Sequence, residues 1–203
     1  MIGFVFNAAF QQTFINNWRR VTMIKTFSIF LLAVSMAISA VCAFAQEAAL
    51  KVGDVAPDFS LQGSDKKTYS LADYKGKQAV AIAFFPKAFT GGWSLQVQSL
   101  RDSEKELRKY NVAYFMASVD SVKDNTRFAK EQHANFPLLC DTSKDVARAY
   151  GPLVDYNGNQ IARRWTIYID KEGIVRKIDQ AVKPASAGPD MVSSFEELGF
   201  EKK

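Results

Sequence analysis

Cysteine is almost absent from this chain: of 203 residues only Cys42 and Cys140 carry a thiol. Histidine is scarcer, with His133 alone, and one imidazole cannot supply the several ligands that a metal centre needs. His133 is therefore expected on the surface. Acidic residues are missing from positions 1–45, where Arg19, Arg20 and Lys25 are the only charges. No repeat or low-complexity tract occurs, and neither a Gly-rich phosphate loop nor a Ser/His/Asp order stands out. These absences exclude an internal disulfide between mature cysteines, an imidazole metal site and the common nucleotide-binding signature. No cofactor is called for.

The acid-free start has its own pattern. After Lys25 an apolar stretch runs from Phe27 to Ala40, and Ala43-Phe44-Ala45 precedes Gln46-Glu47. A basic start, a short apolar middle and an Ala-x-Ala exit read as a secretory signal peptide. The stretch is short and rich in Ala and Ser, whereas a membrane span needs about 20 apolar residues; an uncleaved anchor is the rival reading. Met23 suits the start of such a leader, so residues 1–22 read as an upstream extension or as a mis-called start. Ser39-Ala40-Val41 fits a lipoprotein site poorly, so Cys42 leaves with the leader. The expectation is a periplasmic or secreted protein with no stable membrane span after cleavage. Residues 46–203 then form one domain, long enough to bury a sizeable core. Three of the 26 basic residues go with the leader, so 23 face 21 acids and the mature net charge is +2. With no basic cluster interleaved with aromatics, a nucleic-acid partner is excluded.

Periodicity outlines the mature part. Ala79–Phe85 is a continuous apolar run stopped by Pro86, as expected of a strand buried on both faces. Trp93, Val97, Leu100 and Leu107 lie on one face of a helix predicted to reach about Tyr110. A second buried strand is predicted over 112–119, a polar helix with Phe128 inward over 122–133, and a third strand over 135–140. A helix over 143–150 stops at Gly151-Pro152, and Asn157-Gly158 marks a tight hairpin. Strands over 164–170 and 174–178 flank Lys171-Glu172-Gly173, and a last helix spans 190–198.

Between the first strand and helix stands Pro86-Lys87-Ala88-Phe89-Thr90-Gly91-Gly92-Trp93. It resembles the active-site loop of peroxiredoxins of the alkyl hydroperoxide reductase/thiol-specific antioxidant family, where Pro-x-x-x-Thr-x-x-Cys carries the peroxide-attacking Cys. The opening Val52–Leu61, the segment Ala147–Gly151 and Arg164 six residues before Asp170 are similar to the family as well. The resemblance covers roughly residues 50–199. It implies an α/β, thioredoxin-like fold of peroxiredoxin type, with a central mixed sheet flanked by helices. It also implies that Pro86, Thr90 and Arg164 occupy the positions that shield the nucleophile, orient peroxide and stabilise charge.

The nucleophile is what departs from the pattern. Indole has no ionisable group near neutral pH and only donates a hydrogen bond, so Trp93 cannot replace the thiolate. A second redox Cys, which one branch of the family places about one helical turn further on, corresponds here to Val97. The resemblance thus points to an exported antioxidant-family oxidoreductase relative with a degenerate site: Pro86, Thr90, Trp93 and Arg164. Trp93 either fills the unused pocket or offers a stacking surface to a ligand. The alternative is an active thiol-dependent peroxidase for hydrogen peroxide or alkyl hydroperoxides. It would work through Cys140, through a partner's thiol, or through a selenocysteine misread as Trp at position 93. Cys140 reads as a buried small hydrophobe; its strand lies two steps of about 4.8 Å, roughly 10 Å, from the loop, and the adjacent Asp141 should raise its pKa. The resemblance makes a homodimer plausible and, for an active enzyme, a thioredoxin-like reductant. Asp120 and Asp170 are expected to serve turns at strand ends.

Overall fold

The computed structural model describes residues 49–88 and 91–203, without the side chains of 91–93. The segment expected to be a leader, Thr90 and the Trp93 side chain therefore lie outside the described residues. Seven strands form one mixed sheet. They are β1 (Ser60–Gly63), β2 (Thr68–Ser70), β3 (Ala79–Phe84), β4 (Val112–Ser118), β5 (Leu138–Cys140), β8 (Thr166–Ile169) and β9 (Val175–Asp179), in the order β2-β1-β5-β4-β3-β8-β9. β6 (Leu153–Tyr156) and β7 (Asn159–Ala162) make a separate hairpin. The helices are α1 (Gly91–Asp102), α2 (Glu104–Leu107), α3 (Val122–Glu131), α4 (Asp145–Tyr150) and α5 (Ala187–Glu197).

β3 explains why the sheet has two covered faces. It pairs in parallel with β4 and antiparallel with β8, and all six of its residues are buried. Successive side chains point to opposite faces. Ala79, Ala81 and Ala83 enter one core with Val97, Leu100, Leu107, Phe128 and Phe195. Val80, Ile82 and Phe84 enter the other with Phe59, Ala147, Tyr150 and Ile167. The three alanines are small, which lets the helix-covered face pack closely. On the other face Tyr150 is fixed by donating its hydroxyl hydrogen to the Pro57 carbonyl at 2.6 Å. This is the thioredoxin-like arrangement expected, and β5, β4 and β3 run parallel as foreseen.

Several boundaries differ from the expectation. The helix predicted to reach Tyr110 breaks at Ser103, whose φ of −89° and ψ of 3° leave the helical region. There α5 crosses, and Gly188 donates its N–H to Ser99 Oγ at 2.9 Å. A Cβ on Gly188 would overlap the Ser99 carbonyl oxygen and Ser103 Oγ. Alanine is the better helix former by about 1 kcal/mol, but overpacking against backbone costs about 1–3 kcal/mol. Gly188→Ala is therefore expected to destabilise the protein, read as a lower urea midpoint at unchanged m-value.

The third strand begins at Leu138 rather than 135, because Pro137 brings no N–H to the ladder. Leu138 N–H instead donates to Ser64 Oγ at 3.1 Å. The strand predicted from Arg164 begins at Thr166. The polar helix ends at Glu131, and His133 lies beyond it, exposed, at φ 51°. The Asn157-Gly158 turn joins β6 to β7 with φ of 51° and 76°, the left-handed pair that a two-residue hairpin needs.

Candidate functional site

In an open α/β sheet, ligands gather where strands end at their carboxyl side. β3 ends there in Phe84, and Phe85 continues the pairing by donating its N–H to Ala117 O at 2.9 Å. Half-buried Pro86 stops the strand because it has no N–H to give. The loop then turns back, and Ala88 donates its N–H to Asp120 Oδ2 at 2.8 Å. Asp120 follows the end of β4, so the ends of both parallel strands meet here. α1 begins at Gly91 and residue 93 lies in its first turn. The unsatisfied N–H groups of that turn and the helix dipole favour an anion.

Arg164 reaches the same place from the other side of β3. Trp165 O accepts the Phe84 N–H at 2.7 Å, which carries the backbone around Arg164 alongside the strand end. Arg164 is half-buried, whereas its neighbour Arg163 is exposed. Arg164 Nη1 donates to Gln96 Oε1 on α1. Burial pulls the Arg164 pKa below its ordinary value, but a guanidinium remains charged in proteins. Gln96 is fully buried, and its Nε2 is the one buried side-chain polar atom without a partner among the described residues. Buried donors without a partner are uncommon and call for an explanation.

Cys140 is elsewhere. It lies on β5, with β4 between it and β3, and is 4% exposed. Its Sγ accepts from Asn125 Nδ2 at 3.4 Å and donates to Leu138 O at 3.6 Å. Burial pushes the thiol pKa up; the Asn125 hydrogen bond opposes this, and the Asp120 charge adds to it. Asp141, expected to raise it, does not. Its buried carboxylate accepts the Ala147 N–H at 2.6 Å and the Ser143 hydroxyl at 3.3 Å, within the first turns around α4. A thiol pKa raised by folding stabilises the fold below its unfolded value, and the benefit is lost as pH climbs past the ordinary value of 9.0. The folded protein is accordingly expected to resist a disulfide reagent at pH 8 and to react at once when unfolded.

Of the residues singled out in the sequence, Pro86 follows the end of β3, and Arg164 bonds to Gln96 on α1, the helix whose first turn bears residue 93. Val97 is fully buried on the inner face of α1. Cys140 is not brought in. Asp170 serves the expected turn, accepting the Glu172 and Ile174 N–H groups at 3.0 and 2.8 Å. Gln96 was not singled out. Its signal was a polar residue inside the apolar stripe of Trp93, Val97 and Leu100. Asp120 was read as a turn residue, and its grip on the loop needed the fold to become visible. Among the described residues no group of three or more His, Cys, Asp or Glu gathers as a metal site would require, and no helix is long and apolar enough to cross a membrane.

Known proteins resemble this chain in sequence and in fold. The family described as AhpC/TSA matches residues 52–178. Peroxiredoxin Bcp of Escherichia coli K12 is 40% identical over 102 residues, which are 50% of this chain and 65% of that protein. The chain thus spans just under two thirds of that relative's length. Alkyl hydroperoxide reductase E of Mycobacterium tuberculosis H37Rv is 35% identical over 129 residues, 63% of this chain and 83% of that protein. Among solved structures, the bacterioferritin comigratory protein of Xanthomonas campestris superposes with a TM-score of 0.65 at 25% identity, over 74% of this chain and 98% of that one. Peroxidoxin BcpB of Mycobacterium tuberculosis gives 0.67 at 23% identity, over 73% and 97%, a likeness of fold.

Proposed function

Because this chain belongs to the AhpC/TSA family, we propose that it is an exported peroxiredoxin relative that has given up cysteine peroxidase chemistry and serves as a binding or interaction module. Peroxide reduction by the family's route requires a thiolate that attacks one peroxide oxygen, breaks the O–O bond and is oxidised to sulfenate while the other oxygen leaves as alcohol or water. The observation that carries the reading is the place of the one thiol beyond the leader. Cys140 is buried behind β4, with its pKa raised, while the helix turn that should hold the nucleophile bears Trp93. Val97 at the second position supports it further. Pro86, Thr90 and Arg164 are the retained parts of the degenerate site. Purified protein supplied with hydrogen peroxide and a dithiol is expected to consume peroxide no faster than the dithiol alone; turnover at enzyme-like rates overturns the reading.

A second reading is favoured by the names of the relatives, which are peroxidases. In it the protein is an active oxidoreductase using Cys140, a partner's thiol with a thioredoxin-like reductant, or selenocysteine at 93. Cys140→Ser separates these forms, since activity lost with that change belongs to Cys140 and activity that survives it does not. The ordinary Trp triplet at codon 93 removes the last form.

In the first reading residues 1–45 are a leader removed on export to the periplasm or beyond, and the mass of the exported protein tests this. A homodimer is proposed on family grounds, and light scattering decides it.

A further inference from the structure

The loop Pro86–Ala88 is held by a buried polar chain that nothing in the site chemistry uses. Asn125 and Ser118 are both fully buried. Hydrogen counting and the shorter contacts together give the direction of the chain. Asn125 Nδ2 has two hydrogens: one goes to Ser118 Oγ at 3.0 Å, the other to Cys140 Sγ at 3.4 Å and, more distantly, Leu139 O at 3.5 Å. Ser118 Oγ, an acceptor from Asn125, has a single hydrogen, and Asp120 Oδ2 at 3.0 Å is a closer acceptor for it than Asn125 Oδ1 at 3.3 Å. The Asp120 N–H returns to Ser118 Oγ at 3.2 Å, closing a tight ring at the end of β4. The same Oδ2 then accepts the Ala88 N–H. The side-chain hydrogens run from Asn125 through Ser118 to Asp120, whose carboxylate accepts from the loop 32 residues earlier in sequence.

We propose that Asp120 is a positioning residue for this loop: its carboxylate fixes the Pro86–Ala88 turn, while Ser118 and Asn125 fix the carboxylate. The inference rests on this loop's being the family's active-site loop. It does not depend on whether the nucleophile has been lost. A loop that enters a helix tip has few ways to be held from below, since Pro86 offers no N–H and the strand pairing ends at Phe85. The Ala88 amide is the next donor after Phe85 that the structure shows engaged, so the bond to Asp120 sets where the chain turns.

The test is amide exchange in the full chain, read at Ala88 and, as a control, at Ile167 and Tyr168 in β8. Asp120→Ala is expected to speed exchange at Ala88 by on the order of tenfold, the factor one charge-assisted hydrogen bond commands, and to leave the β8 amides within about twofold. Asp120→Asn keeps an acceptor oxygen and is expected to restore most of the protection. Unchanged exchange at Ala88, or an equal rise in β8, overturns the proposal. Should Asp120→Ala not fold, Ser118→Ala decides. It removes only the hydroxyl that orients the carboxylate and is expected to raise Ala88 exchange about threefold, with no rise counting against the proposal. In the Trp93→Cys background Asp120→Ala should lower kcat/KM for peroxide and Asp120→Asn should recover it. If Trp93→Cys is itself inert, the peroxidase reading of the scaffold fails, and exchange at Ala88 still decides the role of Asp120.

Discussion

Trp93→Cys is expected to raise peroxide consumption by roughly two orders of magnitude over the unmodified protein, because it returns the one group the site lacks. Residue 93 sits in the first turn of α1. A thiol there meets unsatisfied backbone N–H groups and the positive end of the helix, which lower its pKa and increase its thiolate fraction at neutral pH. Arg164, held against α1 through Gln96, supplies a fixed cation for the charge that develops as the O–O bond breaks. A preorganised donor of this kind is worth about 10²–10³ in rate, so adding Arg164→Ala to Trp93→Cys should return most of the gain. The introduced sulfur would be oxidised to sulfenate, and an added thiol would reduce it, since Val97 offers no second sulfur. A variant that reacts with peroxide only as fast as free cysteine would show that the scaffold no longer holds the site.

The second large effect concerns the fold. Phe195→Ala is expected to cost about 3–5 kcal/mol, the range for deleting a buried aromatic ring. Phe195 is fully buried on α5 and meets three rings: Tyr110 at 5.5 Å, Tyr168 at 6.1 Å and Phe200 at 5.8 Å between centroids. These rings come from the segment after α2, from β8 and from the tail, so one side chain joins three parts of the chain. The cavity cannot close easily, because Tyr110 is also tied to Glu196 at 2.8 Å and Asn111 N–H to Glu201 O at 2.7 Å. Against a total stability of about 5–15 kcal/mol the loss is large. Chemical denaturation should show a midpoint shift several times that of Gly188→Ala.

Local signals carried most of the architecture. A run such as Ala79–Phe85, short and stopped by Pro86, reads as a buried strand, and Asn157-Gly158 as a two-residue hairpin, because their physics is contained in a few adjacent residues. The break at Ser103 was not legible: its cause, the close approach of Gly188, is contributed from 85 residues further along. The late start of β5 was half legible, in Pro137, but its pairing with Ser64 was not. At the site, Pro86 and Arg164 came from a resemblance of spaced motifs. Gln96 and Asp120 act through side chains that meet only after folding, and one polar letter in an apolar stripe is a faint trace of that.

The two borders of the seven-stranded sheet bear on how copies of the chain can meet. At one border β2 is three residues long and follows Lys66 and Lys67; at the other, β9 carries Arg176 and Lys177. A stub and a charged rim are poor templates for adding a strand. Continuation of this sheet from one copy into the next is thereby discouraged, which turns any self-association toward surfaces away from its margins.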